Sequence, residues 1–230
     1  MTQPTHRRFA ISDIHGHLPT LKRLLQRLDY GSDDELFLLG DFIDRGPDSK
    51  GVIDKVEDLR ATGHAVHCLR GNHEQMALSA APGNDAWRSW LAHGGKDTCA
   101  SWGTYGEWTV PPAYRRWMEA LPLSLESPGY VMVHAGIDHD RADPLAATQD
   151  LLWLRDWYTP EVKNWLNGRI LLHGHTPQTR SLIAAQAANA ETRGVVGIDA
   201  GCFHTRAGMG HLCALRLGTN EVTFEERVGD

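Results

Sequence analysis

Cysteine is scarce: four residues in 230, at Cys68, Cys99, Cys202 and Cys213. No two form a C-x-x-C pair, which excludes a zinc knuckle and a dithiol redox motif and leaves buried, reduced thiols as the expectation. Excess positive charge is lacking too. Lysine and arginine number 23 against 29 acidic residues, a formal net charge of -6, which excludes a broad basic face that grips nucleic acid. No segment approaches the roughly 20 apolar residues of a membrane span. The apolar "FAI" behind Arg7 and Arg8 is too short for the core of a signal peptide. Internal repeats, low-complexity tracts and a clear linker are also missing. The expectation is one domain over 1–230, soluble and cytoplasmic, with neither nucleic acid nor membrane as a partner.

Histidine, by contrast, is plentiful at 13 residues. The first eighty residues alternate regularly. "RFAI" ends at "SDIHGH", "ELFLL" at "GDFIDRGP", and "HAVHCL" at "RGNHEQM". Between them stand two helical patterns, one placing Leu18, Leu21, Leu24, Leu25 and Leu28 on a single face, the other burying Val52, Ile53, Val56 and Leu59. Strand-helix-strand-helix-strand with continuous apolar strands predicts parallel pairing in an α/β fold. Open α/β sheets bind ligands beyond the carboxyl ends of their strands, and all three polar clusters fall there. From about 76 to 125 the pattern loosens into a Trp-rich stretch holding Trp87, Trp90, Trp102, Trp108 and Trp117. It reads as a helical insert whose tryptophans are core. The second half reads as short strands in "YVMVHAG", "RILLHGHTP", "VVGIDAG", "HLCALRL" and "VTFEERV".

Taken singly, the polar residues at these strand ends are ordinary. Asp41 reads as a helix cap or a partner for Arg45, Asn72 as a turn residue, and His134 and His175 as hydrogen-bonded structural histidines. Converging on one rim, they form a set of carboxylate, imidazole and amide donors without thiolate, which suits divalent Mn, Fe or Zn. A shared carboxylate holds two such ions roughly 3.5–4 Å apart, an arrangement used in phosphoester hydrolysis. Arg45 and Arg70, in the same loops, offer paired donors that match phosphoryl oxygens.

"SDIHGH", "GDFIDRG", "RGNHEQM", "VHAG" and "GHT" resemble, in order and spacing, the signature of the phosphoprotein phosphatase family of calcineurin-like metallophosphoesterases. The likeness runs over about residues 8–206 and is nearest to bacterial and bacteriophage-lambda-type serine/threonine members. The resemblance implies a β-sandwich of mixed sheets flanked by helices, with a dimetal site at the carboxyl ends of the strands. One ion would be held by Asp13, His15 and Asp41, the second by Asp41, Asn72, His134 and His175, with Mn²⁺ expected and Fe or Zn²⁺ compatible. Arg45 and Arg70 would clamp phosphate, joined by Arg155, and His73 would be the general acid oriented by Asp44. A hydroxide shared by the ions would attack phosphorus directly.

Ser12 replaces the glycine usual before the first aspartate, and "HGHT" offers His173 beside His175. The resemblance selects His175 as ligand and leaves a role for His173 open. The activity it implies is a phosphomonoesterase acting on phosphoserine or phosphothreonine proteins, or on small phosphoesters. The alternative is hydrolysis of a dinucleoside polyphosphate such as diadenosine tetraphosphate. Relatives with that activity typically lack the aspartate found here as Asp44. A third reading, an inactive interaction scaffold, is opposed by every ligand position being filled.

Overall fold

Strands that are apolar on both sides need two covers. In the computed structural model, which describes residues 6–146 and 149–229, two stacked sheets supply one cover and outer helices the other. The strands β1 (Arg8–Ile11), β2 (Glu35–Leu38) and β3 (Ala65–Cys68) run parallel, joined by α1 (Leu18–Arg27) and α2 (Ser49–Ala61). Near the end of the chain β8 (His211–Arg216) and β9 (Val222–Glu226) return antiparallel, giving the order β3-β2-β1-β8-β9. The second sheet has the order β4-β5-β6-β7, from β4 (Ser124–Ser127), β5 (Tyr130–Val133), β6 (Ile170–His173) and β7 (Val195–Gly197). Its last three strands are parallel and β4 is an antiparallel edge. Mixed sheets flanked by helices are the architecture expected from the sequence.

The two-residue alternation of a strand sorts the side chains. Ala10 and Phe37 join Met132, Leu172, Val196 and Leu215 in the core between the sheets. Phe9, Ile11, Leu36 and Leu38 lie on the other face, against Leu21 and Leu24 of α1 and Val52 and Val56 of α2. In the second sheet Val131, Val133 and Leu171 pack outward on Leu151 of α7 (Asp150–Trp153) and on Val162 and Leu166 of α8 (Pro160–Leu166).

After β3 come α3 (Asn72–Ser79), α4 (Asp85–Trp90), α5 (Lys96–Ser101) and α6 (Pro112–Glu119). A wide turn at Leu91–Gly95 joins α4 to α5, where Gly94 takes a φ of 113°. Trp90 is fully buried, and Trp87, Trp102, Trp108 and Trp117 pack half-buried against the same core.

The second half is less purely β than its sequence suggests. Besides α7 and α8 it holds α9 (Arg180–Ala188) and α10 (Ala190–Arg193). The alanine-rich "LIAAQAA" of α9 has no clean apolar stripe and buries only Ile183, Gln186 and Ala187. Strand β4, "SLES", lacks an apolar run because it is a half-exposed edge. Among the described residues no helix is long and apolar enough to cross a membrane.

Leu215, fully buried between the sheets and paired with Ala10 of β1, tests this core. Leu215→Ala is expected to lower stability by about 2–5 kcal/mol, measured by urea denaturation; a loss below about 1 kcal/mol would contradict the inter-sheet packing.

Candidate active site

All the predicted ligands follow strand ends. Asp13 and His15 come after β1, Asp41 after β2, Asn72 after β3 at the start of α3, His134 after β5, and His175 after β6. Turning the chain so sharply demands unusual backbone. Asp13, His15, Asp41, Asp44, Arg45 and His175 have φ between 47° and 71°, left-handed conformations that cost roughly 1 kcal/mol or more each in a non-glycine residue.

The loops brace one another. His15 N–H donates to the Asp41 carbonyl at 2.9 Å and Gly16 N–H to that of Phe42 at 2.9 Å. Fully buried Glu74 accepts the backbone N–H groups of Gly71 (2.8 Å), Asp41 (2.9 Å), Phe42 (2.9 Å) and Ile43 (3.3 Å), tying the β2 and β3 loops to α3. Gly71 is needed beside it, because a Cβ there would run into the Asp41 carboxylate and backbone.

The ligand candidates meet in one buried cluster. Asp41 Oδ2 lies 3.5 Å from His15 Nε2, and Asp41 Oδ1 lies 3.5 Å from His134 Nε2. Asn72 Oδ1 stands 2.9 Å from both His134 Nε2 and His175 Nδ1. The His175 N–H donates to both Asp13 carboxylate oxygens at 3.1 and 3.2 Å. The Ser12 hydroxyl donates to the same carboxylate.

Several observations fit this cluster to cations. The Nδ1–H of His15 donates to the Ile43 carbonyl (2.9 Å) and that of His134 to the Leu39 carbonyl (2.8 Å), which fixes the tautomers and turns bare Nε2 atoms into the cluster. His134 Nε2 then faces the Asn72 carbonyl oxygen, acceptor against acceptor, a repulsion that a cation relieves. His175 Nε2 is buried without a hydrogen-bond partner among the described residues. Burial lowers all three imidazoles, His175 to about 2, so their lone pairs stay available. Burial and then Asp13 hold the Asp41 carboxyl well above its usual range, the mark of buried negative charge short of compensation. Two donor groups, one through His15 and Asp41 and one through Asp41, His134 and His175, share Asp41. His73 reaches the first group, but its Nδ1 is committed elsewhere.

That commitment is to Asp44, whose Oδ2 lies 2.6 Å from His73 Nδ1. The fully buried carboxylate also accepts Thr98 Oγ1–H at 2.6 Å and Trp90 Nε1–H at 3.1 Å. Burial raises the Asp44 carboxyl and lowers the His73 imidazole, each shift disfavouring a lone charge in this pocket.

The arginines divide. Exposed Arg45 and Arg155 both line a cavity of about 490 Å³ that also touches Asn72, His73, Met76, Trp153 and His175. On their other side a depression of about 550 Å³ runs past Asp97, Pro177, Phe203 and His204. Arg70 departs from the expected phosphate clamp. Its guanidinium donates to the carbonyls of Met118 (3.1 Å), Glu119 (2.6 Å) and Leu121 (3.2 Å), and to Gln75 Oε1 (3.1 Å). The side chain leaves the strand end toward α6 and caps its carbonyls. His173 is buried against Trp157, its Nδ1–H on the Gly174 carbonyl at 3.0 Å, outside both donor groups.

Four residues of the site were not singled out from sequence. Glu74 carried one signal, a glutamate three positions after an N-cap. Thr98 and Trp90 belong to a segment read only as core. Asp199, buried after β7 and raised by burial and by Asp13, sits in "GIDAG", where the strand run alone drew notice.

A profile described as calcineurin-like phosphoesterase matches residues 6–199. A protein of Dechloromonas aromatica named symmetrical bis(5'-nucleosyl)-tetraphosphatase is 32% identical over 133 residues, 56% of this chain and 43% of that one. Serine/threonine-protein phosphatase 1 of Salmonella typhimurium is 36% identical over 88 residues, 38% of each chain. The tetraphosphatase name is the more frequent among such relatives, and this chain spans only 26% to 58% of their lengths. A crystal structure of a putative diadenosine tetraphosphatase shares the fold at a TM-score of 0.68 and 19% identity, covering 100% of this chain and 97% of that one. A Saccharomyces cerevisiae protein serine/threonine phosphatase does so at 0.67 and 16%, covering 100% and 82%.

Asp41→Asn is expected to lower occupancy of both ions, read by elemental analysis after Mn²⁺ loading; one ion retained in full would contradict a shared carboxylate. Glu74→Gln leaves every proposed ligand side chain in place, yet should weaken metal affinity about 10–100-fold by loosening the Asp41 loop. Unchanged metal titration would refute that clamp.

Proposed function

The chain belongs to the calcineurin-like phosphoesterase family, and we propose that it is a metal-dependent phosphomonoesterase acting on phosphoserine or phosphothreonine in proteins. The observation that carries this reading is the buried His73–Asp44 pair at 2.6 Å. An alkoxide is a poor leaving group and needs a proton as its bond to phosphorus breaks, whereas a departing nucleotide phosphate does not. A carboxylate held by Thr98 and Trp90 to orient one imidazole is machinery for the first case.

The proposed assignment gives one ion to Asp13, His15 and Asp41 and the other to Asp41, Asn72, His134 and His175, with Mn²⁺ as the occupant. When bound, such ions lower the pKa of water and supply positive charge to phosphoryl oxygens. The chain's own groups do the rest. Arg45 and Arg155, at the junction of the two cavities, offer paired donors to the equatorial oxygens. Asp44 keeps the His73 Nδ1 proton in place, so that Nε2 hands its proton to the leaving oxygen. Left-handed backbone at Asp44 and Arg45 aims the partner of the acid and the clamp from one turn.

A second reading, cleavage of a dinucleoside tetraphosphate, is the one that the names of the curated relatives support better. The cleft adds to it: it continues on both sides of the arginines, and 41% exposed Trp153 lines one lobe as a flat platform.

The deciding assay compares Mn²⁺-loaded protein on a phosphoserine peptide, a phosphotyrosine peptide and diadenosine tetraphosphate. The phosphoserine peptide is expected to have the highest kcat/KM; a tenfold preference for the dinucleotide would replace this reading with the second. His73→Asn should lower kcat on the peptide by about 10²–10⁴ with both ions retained. Loss of metal in that variant would remove His73 from the acid role.

A further inference from the structure

The loop after β7 brings Phe203 to the site. No motif read from the sequence includes it, and it lies beyond the family match at residues 6–199. Its ring centroid is 4.0 Å from the Arg45 guanidinium carbon. The same ring stands edge-on to His15 at 5.1 Å and 84°, and His204 packs on it at 3.9 Å. The loop is fixed. Its carbonyl at Phe203 accepts from Arg227 Nη1 at 2.9 Å, and Gly201 receives the N–H groups of His204 (2.8 Å) and Gly210 (3.0 Å).

Arg45 needs such a support. It is exposed, on left-handed backbone, and among the described residues its guanidinium has a single hydrogen-bond partner, His15 Nε2 at 3.1 Å. That nitrogen is a proposed metal donor, so the contact cannot anchor the arginine in a loaded site. A ring face can. It attracts the cation without occupying any of its five N–H donors, which stay free for phosphoryl oxygens.

We propose that Phe203 is a positioning residue for phosphate binding, its ring face holding the Arg45 guanidinium over the ligand cluster. The inference rests on the proposed reading only in taking a phosphoryl group as the ligand. Inorganic phosphate binding to the Mn²⁺-loaded chain, measured by calorimetry, tests it without any assumption about the ester cleaved. Phe203→Leu is expected to weaken phosphate about threefold to thirtyfold with metal content unchanged, and Phe203→Tyr and Phe203→Trp to restore it to within about twofold. In an Arg45→Ala background, Phe203→Leu should have no further effect. The proposal is overturned by unchanged phosphate affinity in Phe203→Leu, by an equal loss in the Arg45→Ala background, by loss of metal, or by failure of the aromatic variants to rescue. Failure on every ester substrate would sink the proposed activity and leave this binding result standing.

Discussion

Everything at the rim follows from keeping like charges together out of water. Asp13, Asp41, Asp199 and Glu74 are all buried within one small region, and Asp41 and Asp199 are each pushed up by burial and by Asp13. Such a group is tolerable only when hydrogen bonds and cations offset the desolvation. Glu74 meets its share with backbone N–H groups alone. Among the described residues Asp41 and Asp199 have fewer donors, and their buried charge is what suits the cluster to divalent ions.

The fold is the instrument that holds this arrangement. Parallel strands of two sheets end side by side, and covering each sheet with the other sheet on one face and with helices on the outer face keeps their ends from shifting. Six left-handed residues at the rim are tolerated because the sheets beneath them are closely packed. Strain is concentrated where the chain must turn a ligand inward, and the glycine at 71 marks the place where no side chain fits at all.

The fold was legible in the sequence for a physical reason. Apolar runs that end in clusters of costly polar groups identify strand ends, so the residue pattern reaches the loops that carry Asp13, His15, Asp41, Asn72 and His134, while the choice of His175 over His173 came from the family resemblance. Proximity in sequence misled for Arg70, since a residue at a strand end has two directions to leave in and its charge finds the carbonyls of α6. Thr98 and Trp90 were hidden because their partner Asp44 is 54 and 46 positions away, a pairing that no local pattern encodes. Helix α9 escaped because its alanine-rich turns bury little and show no stripe, and α10 because its four residues are too few for a period.

The hydrogen bond from His175 N–H to the Asp13 carboxylate spans 162 positions of the chain. During synthesis the amino-terminal carboxylate therefore emerges long before its last companion. Until β6 has left the ribosome and docked, a growing polypeptide carries only part of this buried cluster. The order of emergence thus leaves the ends of β1 and β6 untied until the later half of the chain has been made.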